Sequence, residues 1–433
     1  MPNTNHHPEE TTTAAELLQV LRYLLRWIPI ASLAGMLGGT ASALLLVSLV
    51  WATDTREQHK WLIAFLPLAG LSVGCLYKYL GTSVEAGNNL ILDEIHDPRR
   101  TIPLRMTPLI LLGTFLTHLF GGSAGREGTA LQTGASLADQ LARPFRLGAR
   151  ERRILLMAGV SAGFASVFGT PLAGAVFGIE VLAIGTVSYD AIVPCFLAAF
   201  VGDLTTHAWK VSHTVYHVSQ TPPMNVRGVL CAAAAGAVFG LVGMAFARVT
   251  HGVGSFFKKR IAWAPLRPFC GGIVVALGVL ALGTTRYIGL GIPMILEAFG
   301  GPQPPWEWAL KFLFTAITLG AGFKGGEVTP LFFIGATLGN ALAYLLPLPP
   351  SLLAGMGFVA VFAGAANTPI ASTFMAVELF GGEAGAYAGI ACVFAYLFSG
   401  HAGIYYAQRV GSSKYQDFRD EKEEPALFPP NRK

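Results

Sequence analysis

Thr170-Pro171-Leu172-Ala173-Gly174, followed by Glu180, returns near the other end of the chain as Thr368-Pro369-Ile370-Ala371, followed by Glu378. In both copies the glutamate lies ten residues after the threonine, and the copies stand 198 residues apart. A second pair lies upstream of each: Gly134-Ala135-Ser136-Leu137-Ala138-Asp139 matches Gly335-Ala336-Thr337-Leu338-Gly339-Asn340, at an offset of 201. Two matches in the same order with nearly one offset indicate a duplication. Duplicated membrane halves commonly pack about a central site, with substrate bound near the midplane.

The composition around these segments belongs to a membrane protein. Of 433 residues, 53% are hydrophobic and 13% charged, about half the charged fraction of a soluble domain. That excludes an ordinary soluble enzyme and fits a multispanning bundle of helices. The 51 glycines and 26 prolines spread through apolar runs imply broken or tightly packed helices. A bilayer tolerates these only where protein or a polar cavity satisfies the freed backbone.

Uncharged runs extend from about Arg26 to Arg409. Several are too short to span alone and read as half-helices that meet at a binding site. The run from Glu327 to Glu378 exceeds one crossing and holds the breaker Leu346-Pro347-Leu348-Pro349-Pro350, so it contains at least two segments. The division read from these patterns is a cytoplasmic segment 1–25, a first membrane repeat 26–225, a second repeat 226–410, and a short solvated tail 411–433 with no regulatory domain. Arg22 and Arg26, the cluster Arg143 to Arg153, and Arg409, Lys414 and Arg419 place those three regions in the cytoplasm by the positive-inside tendency.

A net charge of +5 without aromatics interleaved on a basic face gives no support for nucleic-acid binding. Cys75, Cys195, Cys231, Cys270 and Cys392 sit in apolar stretches without metal-ligand spacing, so they read as packing residues. No cofactor and no metal follow from them.

Just before each small-residue repeat stands a glycine-rich segment with a basic residue and a glutamate: Gly121-Gly122-Ser123-Ala124-Gly125-Arg126-Glu127-Gly128-Thr129, and Gly322-Phe323-Lys324-Gly325-Gly326-Glu327-Val328-Thr329-Pro330. Glycines ahead of a helix let its first amides converge on an anion, and the helix dipole favours negative charge there. An acid at that place can occupy the anion site when ionised and leave it when protonated, linking anion passage to proton movement. Glu127 is the first candidate and Glu327 the second. The plainer alternative is that each caps its own helix or pairs with Arg126 or Lys324.

Gly125-Arg126-Glu127-Gly128, the Thr170-to-Glu180 segment, Gly325-Gly326-Glu327-Val328-Thr329-Pro330 and Tyr405 before a basic tail together resemble the CLC family of anion channels and proton-coupled anion transporters. The resemblance implies an all-α membrane protein of two repeated, inverted halves with broken and re-entrant helices. It implies that Glu127 gates the pathway and carries the proton, and that Tyr405 supplies a central hydroxyl. Tyr406 is adjacent and leaves that register open. Chloride-handling members carry a Gly-Ser-Gly-x-Pro loop, a proline after Gly-Arg-Glu-Gly, and a Gly-x-Phe-x-Pro segment. This chain has Gly87-Asn88-Asn89-Leu90, Thr129 and Gly326-Glu327-Val328-Thr329-Pro330 in those places, a combination that resembles the fluoride-exporting branch, CLC-F.

By that resemblance Asn88 replaces the serine, and Glu327 and Thr329 belong to a branch-specific anion and proton path. Gly125, Arg126, Gly128, Thr129 and Val328 complete the anion site. Val181, after Glu180, stands where chloride/proton exchangers keep an inner proton-transfer glutamate. The implied function is fluoride export driven by inward proton flow, giving fluoride resistance, by a homodimer in the bacterial inner membrane with one pathway per subunit. The interface is expected from Ile154–Val181 and Gly364–Ala395. The alternative within transport is a chloride/proton exchanger or a passive anion channel.

The residues agree with this reading. Fluoride is small and strongly hydrated, so its site must replace water with tight donors; an amide (Asn88), hydroxyls (Thr329, Tyr405) and helix-start amides serve. Glu180 and Glu378 are expected to be structural. An intramembrane hydrolase built on Gly121-Gly122-Ser123-Ala124-Gly125 with His118 is the one enzymatic alternative. It lacks the strand-to-helix context that such a serine requires.

Overall fold

Glycine or proline stands at the start of many helices of this chain, such as α3, α6, α7, α11, α14 and α15, and the resulting segments recur in order. The computed structural model describes residues 13–415. Its first half holds α1 (Thr13–Gln58), α2 (Leu66–Leu80), α3 (Asn88–His96), α4 (Met106–Leu119), α5 (Glu127–Asp139), α6 (Ala149–Phe168), α7 (Pro171–Glu180) and, after the two-residue strand β1 (Ala183–Ile184), α8 (Ile192–Ala208). The second half repeats the series as α9 (Val226–Arg260), α10 (Leu266–Leu282), α11 (Ile292–Gly300), α12 (Glu307–Ala321), α13 (Val328–Leu342), α14 (Pro350–Ala366), α15 (Pro369–Phe380) and α16 (Gly382–Phe398). A second short strand, β2 (Arg409–Val410), pairs in parallel with β1.

The packing repeats as well. α1 lies against α4, α5, α6 and α8, and α9 against α12, α13, α14 and α16. The main helix contacts between halves join counterparts: α2 with α10, α5 with α13, and α7 with α15. A pseudo-twofold relation between the halves produces that pattern. α5 ends beside the arginine-rich loop, whereas the connection after α13 is the uncharged Leu345 to Pro350 stretch, so the two helices approach opposite faces, as inverted repeats do.

Four helical stretches, Ala15–Gln58, Lys60–Leu80, Tyr189–Ala208 and Val226–Arg260, are long and apolar enough to cross a bilayer. The nine residues of α3 and of α11 and the ten of α7 are too short at about 1.5 Å per residue. These are the expected half-helices. The long uncharged run after Glu327 contains α13, α14 and the start of α15, with the proline-rich breaker between the first two.

The small-residue repeats are where helices cross at backbone contact. A Cβ on Gly134 would overlap the carbonyl of Gly159, and one on Gly335 would overlap that of Gly357. Small residues allow this approach, and within a bilayer close van der Waals packing is the main source of helix association.

The duplicated Thr-Pro segments account for the two conserved-spacing glutamates. Glu180, at the end of α7, accepts the amides of Ile370 and Ala371 in the first turn of α15, at 3.0 and 2.8 Å. Glu378, in α15, accepts those of Leu172 and Ala173 in the first turn of α7, both at 2.9 Å. Each half caps the other's helix, and the hydroxyls of Thr170 and Thr368 at the N-cap positions make no hydrogen bond. The expected structural role is thus given a geometry: a carboxylate at the positive end of a helix.

Three features of the structure bear on the expected division and interface. The boundary at residue 26 falls inside α1, which is continuous from Thr13 because no glycine or cap interrupts it there and Pro29 is accommodated within it. The tail does not leave the protein at 411: Gly411 and Ser412 donate to the Ile184 carbonyl, and Lys414 Nζ reaches Asn367, Tyr396 and Ser399 at 2.6 to 2.9 Å. The rest of the expected solvated tail and residues 1–12 lie outside the described residues. Finally, α6 is buried from Ile154 to Val167, so that part of the expected interface presents no face to a second copy.

Candidate functional site

The glycine segments ahead of α5 and α13 meet. Gly125 and Gly326, counterparts at the repeat offset, form an antiparallel bridge, with N-to-O distances of 2.6 Å from Gly125 to Gly326 and 2.8 Å in return. Only glycine fits, since a Cβ on Gly326 would lie 2.6 Å from the Gly128 nitrogen. Two helix N-termini are thereby aimed at one point, a concentration of backbone donors and positive dipole that favours an anion.

Glu127 occupies that point. It is the first residue of α5, yet its carboxylate crosses to the first turn of α13. Its Oε2 accepts the Thr329 amide at 3.0 Å and the Arg126 amide at 3.0 Å, and its Oε1 accepts the Thr329 hydroxyl. The side chain is fully buried. Pairing with the Arg126 side chain is loose by comparison, with Nε 3.8 Å from Oε1. The carboxylate therefore fills the cradle of the opposite half while also accepting the N-cap amide of its own helix.

Asn88, the first residue of α3, and Tyr405 line a cavity of about 140 Å³ together with Gln132, Lys324 and Glu327. Neither the Asn88 side-chain oxygen nor the buried Tyr405 hydroxyl has a hydrogen-bond partner. The Asn88 amide nitrogen packs at the bare face of Gly128, where a Cβ would stand 3.1 Å away. Glu327 is the N-cap residue of α13. Tyr406 is exposed and stacks on His251 with ring centroids 3.7 Å apart, so of the two tyrosines it is Tyr405 that faces the cavity.

The geometry gathers most of the residues singled out from sequence: Asn88, Gly125, Arg126, Glu127, Gly128, Glu327, Val328, Thr329 and Tyr405. Val328 contributes backbone only, as the first residue of α13. Thr129 is different, because its hydroxyl bonds Thr114 of α4 at 2.6 Å and so is turned from the cradle. Val181 lies with Asn88, Val160, Phe177 and Tyr405 around a small void. Sequence reasoning missed Gln132 and left Lys324 unassigned. Lys324 Nζ sits 3.9 Å from the centre of the Tyr77 ring at the cavity wall, and its place three residues before Glu327 was the available signal.

The hydrolase alternative loses its geometry. Ser123 donates to the Tyr287 carbonyl at 2.8 Å and lies 2.9 Å from the Thr315 hydroxyl. Both ring nitrogens of His118 face the carbonyls of Thr114 and Ala124. The serine and the histidine are not paired, so no base activates a nucleophile there.

A buried carboxylate in a two-helix anion cradle, beside a polar cavity where the Asn88 side-chain oxygen and the Tyr405 hydroxyl are unpartnered, defines an ion-handling membrane protein. The chain belongs to the voltage-gated chloride channel family, or CLC family, whose model matches residues 69–400. It is 57% identical over 406 residues, 92% of this chain and 90% of its relative, to a protein of Pseudomonas syringae pv. tomato named chloride/fluoride channel protein. It is 26% identical over 389 residues, 81% of each chain, to the H(+)/Cl(-) exchange transporter ClcA of Cronobacter sakazakii. Among solved structures, a CLC-type fluoride/proton antiporter superposes with a TM-score of 0.86 at 35% identity, covering 93% of this chain and all of that one. The resemblance to the fluoride-exporting branch is borne out by these likenesses.

Proposed function

We propose that this chain exports cytoplasmic fluoride in exchange for protons. The observation that carries the reading is the placement of the Glu127 carboxylate among the donors of Arg126 and Thr329, the place an anion would take. Ionised, Glu127 competes with fluoride for the cradle; protonated, it loses charge-assisted bonds and yields the site. Fluoride enters from the cytoplasm past Tyr405 and Asn88, which line one cavity. Glu327 and Thr329 complete the path from the second repeat, and no nucleotide, metal or other cofactor takes part.

Selectivity for fluoride over chloride rests on Asn88 in place of a serine and on Glu327 and Thr329 in place of the chloride signature. The protein acts in the bacterial inner membrane as a homodimer with one pathway per subunit, conferring fluoride resistance. The exposed apolar residues Ile370, Phe374 and Val377 of α15 and Val393 of α16 supply a face for the second copy.

The test is efflux from liposomes holding the purified protein, followed with fluoride and chloride electrodes while a proton gradient is varied. Uphill fluoride movement driven by protons, with little chloride flux, is the expected result. Efflux indifferent to the proton gradient would mean a channel. Equal chloride flux would mean a general anion exchanger.

A further inference from the structure

Three metal-ligating side chains outside the pathway converge at one end of α8. Asp203 and His207 stand four residues apart on one helix face, and His213 approaches from the connection that follows. One potential ligand atom from each lies within 4.8 Å of the others. α8 starts two residues after Asp190, which lies 3.9 Å from Arg150 of the basic loop. Its 17 residues extend about 25 Å, so the cluster sits on the face opposite the basic one.

Each member is poised in a way that packing alone leaves unexplained. Asp203 Oδ1 is buried and makes no hydrogen bond, with the His207 imidazole 3.4 Å away as its ion-pair partner. Nε2 of His213 lies 2.9 Å from the Ser166 carbonyl; donating there leaves Nδ1 as a free lone pair, the arrangement in which a carbonyl orients a metal-bound imidazole. His207 Nδ1 lies 3.4 Å from Asp203 Oδ1 and 3.0 Å from the Asp203 carbonyl. Its side chain is 58% exposed and free to turn.

We propose that Asp203, His207 and His213 form a binding site for a zinc-class transition-metal ion. Two imidazoles and one carboxylate select zinc, copper or nickel over calcium and magnesium, which prefer all-oxygen shells. Ligands 2.0–2.1 Å from a tetrahedral ion lie about 3.4 Å apart, the present separation of His207 Nδ1 and Asp203 Oδ1, and no pair in the cluster needs to close by more than about 1.4 Å. The fourth position stays open to water. His213 also lines a small cavity with Arg126, Tyr216, Ile292 and Thr329, so the ion would sit in the wall of the pathway's far side.

The experiment uses the full chain, purified without a metal-affinity tag and treated with a chelator, in a background carrying His6→Gln and His7→Gln. Zinc is titrated calorimetrically, and copper is added for electron paramagnetic resonance. The expected result is one micromolar site per chain with two nitrogens on copper. His207→Gln and Asp203→Asn, which spare the fold, should each weaken zinc at least about tenfold, with His207→Gln leaving one nitrogen. Absence of a stoichiometric site, or a site that none of these substitutions weakens, would overturn the proposal.

Discussion

Replacing Glu127 by glutamine isolates the charge from the shape. The amide can keep one oxygen where Oε2 accepts the Arg126 and Thr329 amides at 3.0 Å each, and the Thr329 hydroxyl can turn to accept from its NH2 group. Hydrogen bonds to an ionised acceptor contribute about 1.5–3 kcal/mol and neutral ones about 0.5–1.5. Neutralisation therefore costs about 1 kcal/mol per bond, or about 3 kcal/mol across the three. At 1.4 kcal/mol per tenfold, the side chain's hold on the cradle weakens by about two orders of magnitude. A competing fluoride ion should bind up to about a hundredfold more tightly in Glu127→Gln, measured by calorimetric titration of the purified protein. In liposomes the same variant should no longer move fluoride uphill under a proton gradient, because an amide carries no proton across the range used. Unchanged fluoride affinity would refute competition at the cradle, and wild-type coupling would refute the proton role.

Asn88→Ser should narrow the preference for fluoride over chloride in the same efflux assay, since the shorter hydroxyl withdraws an amide from the cavity that Tyr405 also lines; an unchanged ratio would move selectivity elsewhere. Glu180→Ala and Glu378→Ala each remove two amide-to-carboxylate bonds and should cost about 3 kcal/mol or more of stability, read as a lower melting temperature in detergent, while Glu180→Gln should lose less. Gly335→Val forces α13 off the Gly357 carbonyl and should abolish recovery of monodisperse protein, whereas a valine at Gly252, which has open space around its Cβ position, should be tolerated.

The fold was legible in the sequence to the extent that it was written twice. The duplicated Thr-Pro and Gly-Ala segments have counterparts that touch or recur at equivalent crossings, so their spacing carried three-dimensional information. The Glu127 cradle was legible because glycine, acid and helix start stand next to each other in the chain. What could not be read was which helix Glu127 would cap: its own first turn is nearest in sequence, but the Gly125 to Gly326 bridge brings the α13 amides within reach across some two hundred residues. Thr129 misled for the same reason, because its hydroxyl finds Thr114 on α4, a contact set by tertiary packing. The clustering of Asp203, His207 and His213 depends on a connection without secondary structure, whose path no local pattern specifies.

The bridge between Gly125 and Gly326 also brings together two halves whose backbones match but whose side chains differ. Counterparts at the repeat offset share position but differ in charge: Arg126 answers Glu327, Glu127 answers Val328, and Gly128 answers Thr329. Only the first half therefore supplies a carboxylate to the cradle, and only the second supplies a hydroxyl to hold it. The flanking cavities diverge likewise. On one side of the cradle the first residue of α3 is Asn88, facing the cavity with Tyr405 and Glu327. On the other side the first residue of α11 is Ile292, lining its cavity with Arg126. The cradle thus has unpartnered polar groups on one side and an apolar residue beside an arginine on the other. Exchanging the pair, with Asn88→Ile and Ile292→Asn in one chain, should slow fluoride entry from the Asn88 side while leaving proton binding at Glu127 intact. Unaltered entry would show that the asymmetry resides in the carboxylates alone.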